Sequence, residues 1–473
     1  MHAGLRPLSI AAALCFGLAG CAVEHPDLDR MTADMTPVSW QRSSLPAGSI
    51  VAWDNFWARW QDPILTSLLE KAFAANPDIA TAAANLRAAE ASITSANAAL
   101  WPTASLGADA AKNRSGSITR DSFSLEGSGG LALNLAGSEF WKGDQAELSA
   151  AASRYSLEDV RAATAAAVAE AYVNLRAAEA QLEVVKKSLA NYLETAETSR
   201  WQFEAGTGAA SEAEDAMVQL ASARARIPTL EGSIIEYRNA LMRLAATPVE
   251  KLDLGYTGVI PLPPEDAAVA IPAETIANRP DVRAARLTVE AAVAQLRSAK
   301  SDFFPTLNLS GNIGTTAATV SALGTAGTGV AGLAAALSLP VLNWGSLIAQ
   351  EESAAAEVDR SVASYRSTLL TALEETDNAI ASIANAERRR TDLARAVEHA
   401  RTAEMLARQE YEAGIGDYTM LLSTQRSLLS AEESELSNRA DRAAGYIRLY
   451  RALGGAWAVD AAREKSEQKN QEQ

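Results

Sequence analysis

The chain has 473 residues, of which 48% are hydrophobic and 21% charged, so it can order and bury a large core. Its formal net charge of −16 disfavours nucleic acid as a partner, because phosphate backbones attract cationic surfaces. Cys15 and Cys21 are its two cysteines. Cys15 lies in a predicted leader and Cys21 at its cleavage site, which excludes a disulfide or a cysteine-based metal site in the mature chain.

Residues 1–20 are predicted to be a secretory signal peptide, with Arg6 at the positive end and an apolar core from Leu8 to Leu18. The core is too short to span a membrane as a mature helix. It ends in Leu18-Ala19-Gly20-Cys21, which resembles the bacterial lipobox. Cleavage would leave Cys21 as the acylated N-terminus. Ala22 rather than Asp follows it, which by resemblance to bacterial lipoproteins implies the outer membrane as the destination. The alternative is an ordinary signal peptide followed by an incidental cysteine.

A lead-in over residues 21–62 precedes the main body and is rich in Pro, Ser and Trp. Trp53, Trp57 and Trp60 recur at helical spacing, which predicts an aromatic cluster packed on the helices; a ligand site is the alternative. Asp62-Pro63 then begins a short helix, since proline suits the first helical turn.

The main body is one unit written twice. Two pairs of short motifs are each 203 residues apart: Asn76-Pro77-Asp78 with Arg279-Pro280-Asp281, and Trp101-Pro102-Thr103 with Phe304-Pro305-Thr306. This self-similarity predicts a first repeat over 63–247, a proline-rich connector over 248–272, a second repeat over 273–457 and a polar tail over 458–473. Each repeat is predicted to run short helix, long helix, β-hairpin, very long helix, tight tip and returning helix.

The two β-hairpins are predicted at about 102–136 and 305–342, where the periodicity changes from 3.6 to 2. Leu106, Leu125 and Leu309 are examples of apolar residues that alternate with Ser, Thr, Gly or Asn. Strands of about 9–11 residues with one apolar face are typical of transmembrane barrels. Four strands cannot close a barrel, so several chains would have to complete it. A small soluble sheet packed on helices is the alternative.

The very long helices are predicted at about Glu139–Trp201 and Trp344–Glu410, with returning helices at about Ser211–Ala246 and Asp417–Leu453. Their many alanines suit a helical wall around a hollow rather than a bulky core. The tips between the helices lie at about 203–210 and 411–417. Each contains an aromatic residue and glycines that end a helix in the left-handed conformation: Phe203 and Gly206 in the first tip, Tyr411, Gly414 and Gly416 in the second.

No catalytic or cofactor-binding constellation is found in the sequence. His399 stands alone on a helix, so no metal cluster is expected. A G-x-G-x-x-G run over 327–332 lacks a preceding apolar strand, which favours an extracellular hairpin loop over a nucleotide site. We therefore expect neither an enzyme nor a bound cofactor.

In combination, these features resemble the TolC-like outer-membrane factor family, in particular its lipidated OprM and NodT-type efflux branch. The resemblance rests on Cys21, the doubled motifs above and further runs in order: Trp57–Leu65, Phe303–Leu307, Val341–Gly345, Tyr411 with Gly414, Leu421-Leu422 with Gln425-Arg426, and Leu449–Trp457. It implies a mainly α protein with a membrane β-barrel part. A homotrimer would complete a twelve-stranded barrel continued by a twelve-helix periplasmic tube.

The resemblance also implies a function and partners. The protein would be the passive exit duct of a tripartite efflux pump for drugs or other small molecules, sitting in the outer-membrane lipid. A periplasmic adaptor (membrane fusion) protein and an inner-membrane efflux transporter would be its partners. The exit duct of a type I protein secretion system is the alternative within the family, and a structural coiled-coil lipoprotein is the alternative outside it.

The family's tubes are closed at the periplasmic end by acidic helix tips, and Asp417 is the position that the resemblance assigns to this role. Asp417 can also be the N-cap of the returning helix. Its donor would then be a backbone N–H, or else a cation such as Arg408 from a neighbouring tip. One departure from the family is Leu135–Glu139, where an acidic, aromatic strand-to-helix motif is usual.

Overall fold

The computed structural model describes residues 25–36, 56–263 and 273–455. The predicted signal peptide, Cys21, Trp53, part of the connector and the polar tail lie outside these ranges. The described chain is mainly helical with one four-stranded sheet, as predicted. It divides into two compact units that each take segments from both repeats. Of the described residues, 25–31, 84–155 and 283–368 belong to unit 1, and 32–36, 56–83, 156–263, 273–282 and 369–455 belong to unit 2.

Eight α-helices occur in the described residues: α1 (Leu28–Met35), α2 (Pro63–Ala75), α3 (Pro77–Ala98), α4 (Ser138–Glu204), α5 (Ala210–Ala245), α6 (Pro280–Ser301), α7 (Trp344–Glu412) and α8 (Tyr418–Ala452). The long helices α4 and α7 have 67 and 69 residues. Each extends a few residues beyond its prediction, because helix ends carry a weak signal. Short 3-10 turns occupy Ala58–Trp60, Val249–Lys251, Ala273–Asn278 and Val320–Ala322.

Unit 1 contains the sheet, which is antiparallel throughout in the order β1 (Thr103–Ser115), β2 (Ile118–Asn134), β3 (Thr306–Ala317), β4 (Gly329–Ser338). The register places residues of similar polarity opposite one another on neighbouring strands. Leu133 faces Leu307, which faces Leu337, whereas in another row Ser105 faces Ser128, which faces Asn312. The predicted alternation is thereby confirmed, because successive side chains point to opposite faces and equal kinds meet across strands.

One loop prediction is partly wrong. Gly327 and Thr328 do lie in a turn, and Gly327 has a φ of 93° that favours glycine. Gly329 to Gly332, however, are the first residues of β4 and pair with β3. Gly332 faces Asn312, whose side chain fills the space that a Cβ on Gly332 would need. Gly332 therefore serves close packing within the sheet, whereas the space around Gly329 is open.

Unit 2 shows the duplication in its hydrogen bonds. Asn76 precedes α3 and donates from Nδ2 to the carbonyl of Leu244 at the end of α5, at 2.9 Å. Arg279 precedes α6 and donates from Nη1 to the carbonyl of Ala452 at the end of α8, at 3.1 Å. Both side chains satisfy carbonyls that a helix end leaves without partners. The paired motifs thus make equivalent hydrogen bonds to a helix end in both repeats.

Trp57 and Trp60, the two predicted tryptophans that lie in the described residues, pack on the helices as predicted. Phe56 stacks on Tyr450 of α8 with ring centroids 4.9 Å apart, and Trp57 meets the same ring edge-on at 4.8 Å. Phe56 and Trp60 are buried with Leu65 and Leu68 of α2 in the main core of unit 2. A packing cluster, rather than a ligand site, accounts for their spacing.

Candidate functional site

The two tips repeat the same backbone pattern, both within unit 2. In the first tip, the N–H groups of Thr207 and Gly208 donate to the Gln202 carbonyl at 2.9 and 3.0 Å. In the second tip, the N–H groups of Ile415 and Gly416 donate to the Glu410 carbonyl at 3.1 and 2.9 Å. These bonds cap helix carbonyls that would otherwise lack a donor.

Glycine is required at the tips for two different reasons. Gly206 and Gly414 have φ values of 75° and 74°, in the left-handed region that other residues adopt at a cost. Gly416 faces a steric limit, because a Cβ there would lie 2.8 Å from the Glu410 carbonyl carbon and from the Tyr411 nitrogen. Gly208 holds the corresponding place in the first tip, where the closest atom would be Gln202 Cβ at 3.0 Å.

The predicted aromatic residues differ in burial. Tyr411 is buried, 8% exposed, in a cluster with Tyr192, Tyr418 and Leu422, whereas Phe203 is 48% exposed. The two aromatic residues of the tips therefore do not pack alike. In the first tip the aromatic ring is left on the surface.

Tyr411 joins the two helical hairpins through a hydrogen bond. Its hydroxyl donates to Gln202 Oε1 of α4 at 2.6 Å and lies 3.5 Å from the Ser199 hydroxyl. A second contact lies deeper in the packing, where Gln425 Nε2 of α8 donates to Thr195 Oγ1 at 3.0 Å. Neither Gln202 nor Thr195 is identified by the sequence analysis, since each is an isolated polar residue; Gln425 stands in a motif of the resemblance.

Arg408 adds an ionic contact between α7 and α4. It pairs with Glu404 of its own helix and, through Nη1 at 3.1 Å, with Glu194 of α4. Within the chain Arg408 therefore does not bind Asp417, because its guanidinium points across to α4. Of the two donors considered for Asp417, the structure favours the backbone N–H.

Asp417 is the N-cap of α8. Its Oδ1 accepts from the Thr419 N–H at 3.0 Å, and its Oδ2 accepts from the Thr419 hydroxyl at 2.8 Å. The backbone and side-chain bonds of Thr419 hold the pKa of this exposed carboxyl below its usual value. The carboxylate is thus ionised and fixed in orientation at the start of the helix.

The neighbouring Tyr418 is buried, whereas Asp417 is exposed. It is 3% exposed, and within the described residues its hydroxyl has no hydrogen-bond partner. Burial, followed by the charge of Asp215, raises the pKa of this phenol. Tyr418 therefore contributes ring packing to the tip, whereas Tyr411 contributes a bond.

The second candidate surface is the sheet of unit 1. Leu106, Ile313 and Leu333 are 79%, 71% and 91% exposed on its apolar face. The other face is lined mainly by small and polar residues, with Asp109, Arg120 and Glu126 as its charged residues in the strands. Strands β1 and β4 form the two edges of the sheet and each pairs on one side only in the described chain.

No helix in the described residues is long and apolar enough to cross a membrane. In the same ranges, no group of three or more His, Cys, Asp or Glu residues could hold a metal ion.

Sequence and structure comparisons place this architecture among known proteins. The pyoverdine export outer membrane protein OpmQ of Pseudomonas putida is 28% identical, covering 97% of this chain and 98% of its own. The toluene efflux pump outer membrane protein TtgF of Pseudomonas putida is 26% identical over 95% and 96%. The crystal structure of the outer membrane protein VceC of Vibrio cholerae matches with a TM-score of 0.79 and 25% identity, covering 85% of this chain and 98% of that one.

A duplicated helical body with one four-stranded sheet is the fold of outer-membrane channels of the TolC type. A model of the outer membrane efflux protein family matches residues 68–247 and 271–455, which include both repeats almost completely. The chain belongs to the outer membrane efflux protein family.

Proposed function

We propose that the protein is a trimeric outer-membrane channel that serves as the exit duct of a tripartite efflux pump and passively exports small molecules. The observation that carries this proposal is the sheet, which has one apolar face and two open edges in each chain. An open edge cannot face hydrocarbon, because its backbone groups would lack hydrogen bonds. Three copies joined edge to edge would remove every free edge.

The polar face then lines the lumen, and the helices continue the duct into the periplasm. In this arrangement the tips are the periplasmic entrance, where three copies of Asp417 would approach one axis. Tyr411 and Arg408 hold each pair of hairpins together and thereby keep the entrance narrow. A periplasmic adaptor and an inner-membrane transporter would open it and supply the energy.

Acylation at Cys21 would tether the chain to the periplasmic leaflet. A labelled fatty acid should mark the wild type and leave Cys21→Ser unmarked, while both insert through the barrel. Equal labelling of the two would refute the assignment.

Cross-linking of the detergent-purified protein is the direct test of the channel. We expect a ladder that stops at three and an elongated three-fold particle with a central hollow in images. A dominant monomer or dimer would contradict the barrel, and so would the absence of conductance in planar bilayers. A structural coiled-coil lipoprotein would give no conductance, and the apolar sheet speaks against it.

The names of the relatives favour small molecules as cargo, since they mention pyoverdine and toluene. Export of proteins by a type I secretion system uses the same kind of duct. Deletion of the gene separates the two roles. Greater susceptibility to toxic small molecules supports efflux, whereas loss of secreted proteins with unchanged susceptibility supports secretion.

A further inference from the structure

A hollow in unit 1 lies between α4, α6 and α7 and is called here the inner hollow. Its volume is about 600 Å³, which is in the range of small-molecule sites. Most of its lining is polar and uncharged: Gln145, Gln295, Gln350, Ser298, Ser346 and Ser353. The remaining lining residues are three alanines, Lys142 and Asp302. Such a lining suits a hydrophilic solute, because it offers many hydrogen-bonding groups and little apolar surface.

A second hollow, called here the outer hollow, lies on the opposite face of α4 and α6. Its volume is about 560 Å³, and its lining includes His25, Asp144, Glu147, Glu290 and Arg297. On α4, Lys142 of the inner hollow and Asp144 of the outer hollow are two positions apart, which is roughly 200° around a helix. Gln295 and Arg297 are spaced in the same way on α6. The two hollows therefore open to opposite faces of one helical layer.

His25 indicates which of these faces is the outside of the channel wall. It follows the predicted acylated Cys21 by four residues, and four residues reach at most about 14 Å. Acyl chains lie in lipid outside the wall, so a lumenal His25 would require the lead-in to cross that wall. The next turn of the lead-in binds the same face, since Asp29 pairs with Arg286, one turn before Glu290 of the outer hollow. The inner hollow therefore opens to the lumen.

Lys142 is the charged group of the inner hollow that is available to a solute. It lies about one turn into α4 and is exposed, and it makes no hydrogen bond or ion pair with any described residue. Asp302, in contrast, accepts from the Ser138 hydroxyl at 2.8 Å through Oδ1. A lysine ammonium binds anionic oxygens through charge-assisted hydrogen bonds. The hollow thus presents one unengaged cation among amide and hydroxyl donors.

Resting on the proposed channel and its lipid anchor, we propose that the inner hollow is a transit site for small hydrophilic anions. Lys142 binds the anionic group, and the surrounding glutamine and serine side chains bind the other polar atoms of the solute. Three copies of the chain place three such sites at one level of the lumen. A solute in a duct must also leave again, and a single exposed cation in an open hollow keeps the binding weak.

Single-channel recording in planar bilayers tests the proposal, with citrate added on the barrel side. Citrate is a small hydrophilic tricarboxylate, and it should reduce the wild-type current as its concentration rises. Lys142→Gln should weaken this block about 2- to 5-fold, which is what one exposed ion pair contributes. Asp302→Asn should strengthen the block, because it removes a nearby negative charge and keeps an oxygen that can accept from Ser138.

Lys300→Gln is the matched control, since it removes the same charge from the other face of the wall. Lys300 lies two positions before Asp302 on α6, and its Nζ is 3.9 Å from Glu351 Oε1 of α7. Citrate should block this variant as it blocks the wild type. Sorbitol, a neutral polyol of similar size, should act equally on all variants, because it carries no charge for Lys142 to bind.

Equal citrate block of the wild type and Lys142→Gln would overturn the proposal. An effect of Lys300→Gln as large as that of Lys142→Gln would overturn it as well, because the charge of the whole wall and not the inner hollow would then act on the anion. Conductance without citrate reports separately on the channel. A wild type that does not conduct refutes the proposed function, whereas a conducting wild type that citrate does not block refutes the transit site alone.

Discussion

Removing the Tyr411 hydroxyl should make the proposed entrance at the tips easier to open. The hydroxyl is buried and donates to Gln202 Oε1 at 2.6 Å, across the two hairpins. A hydrogen bond between neutral groups contributes about 1 kcal/mol net. Tyr411→Phe should therefore shift the equilibrium between closed and open states about 5-fold if the three tips open independently. If they open together, the loss is about 3 kcal/mol and the shift roughly 150-fold.

Single-channel recording in planar bilayers measures the open fraction directly. Tyr418→Phe is the matched control, because it removes the same atom from a ring 6.2 Å away that has no hydrogen-bond partner in the described chain. We expect the control to behave as wild type. If Tyr418→Phe opens the channel as much as Tyr411→Phe does, ring packing and not the hydrogen bond holds the tips. An unchanged Tyr411→Phe channel would refute the bond's role altogether.

Three further substitutions test other parts of unit 2. Arg176→Met should destabilise the fold by about 3–5 kcal/mol, because Arg176 and Glu179 form a fully buried ion pair. Arg176 also donates to the Gly255 carbonyl, so the variant should expose the connector at Lys251 to trypsin. Resistance to trypsin equal to that of the wild type would contradict this. Asp159→Asn should raise the melting temperature at pH 7. Burial raises the pKa of Asp159, so its ionised form destabilises the folded state above that pKa and stability recovers as the pH falls through it; a lower melting temperature would be the contrary result. Asp417→Ala should weaken the start of α8 and reduce cation preference. Because the pKa of Asp417 is lowered, the stabilisation of α8 by this cap should be complete above pH 4 and fade as the pH falls further. Unchanged conductance and selectivity in the variant would mean that Asp417 is a helix cap alone.

The periodic parts of the fold follow from the sequence. A strand with one apolar face needs side chains that alternate, and β3 keeps this alternation from Leu307 to Ile313. A helix end needs a residue that accepts positive φ, and Gly206 and Gly414 provide it. These requirements are local, so a single sequence displays them without knowledge of any partner.

The exposed position of Phe203 shows that periodicity alone does not predict which residues of a helix are buried. The apolar stripe on α4 begins at Leu175 and steps by three and four to Phe203, and its members from Leu175 to Ser199 are buried or half-buried. Ser199 is 2% exposed, whereas Phe203, one turn later and next to the last residue of α4, is 48% exposed. The stripe therefore leaves the packed face only where the helix ends.

Contacts between distant polar residues were not predictable for a different reason. Arg408 has Glu404 one turn away and Glu194 more than two hundred residues away, and the sequence gives no means to decide that it binds these and not Asp417. The choice depends on the axial register of α7 against α4. That register is set by side-chain packing summed along both helices.

The two tips together show which features the duplication retains and which it varies. The backbone bonds, the left-handed glycine and the close-packed second glycine occur in both tips, because every helical hairpin of this kind must end its helix and reverse its chain. Near the tips, the side chains that donate to α4 belong to the second hairpin: Tyr411, Arg408 and Gln425. Farther from the tips the direction is reversed, since Arg226 of α5 donates to Glu433 of α8. The contacts between the hairpins are therefore asymmetric at the tips, and loss of the three bonds there should loosen the second hairpin from α4 without disturbing the turn that either tip needs to fold.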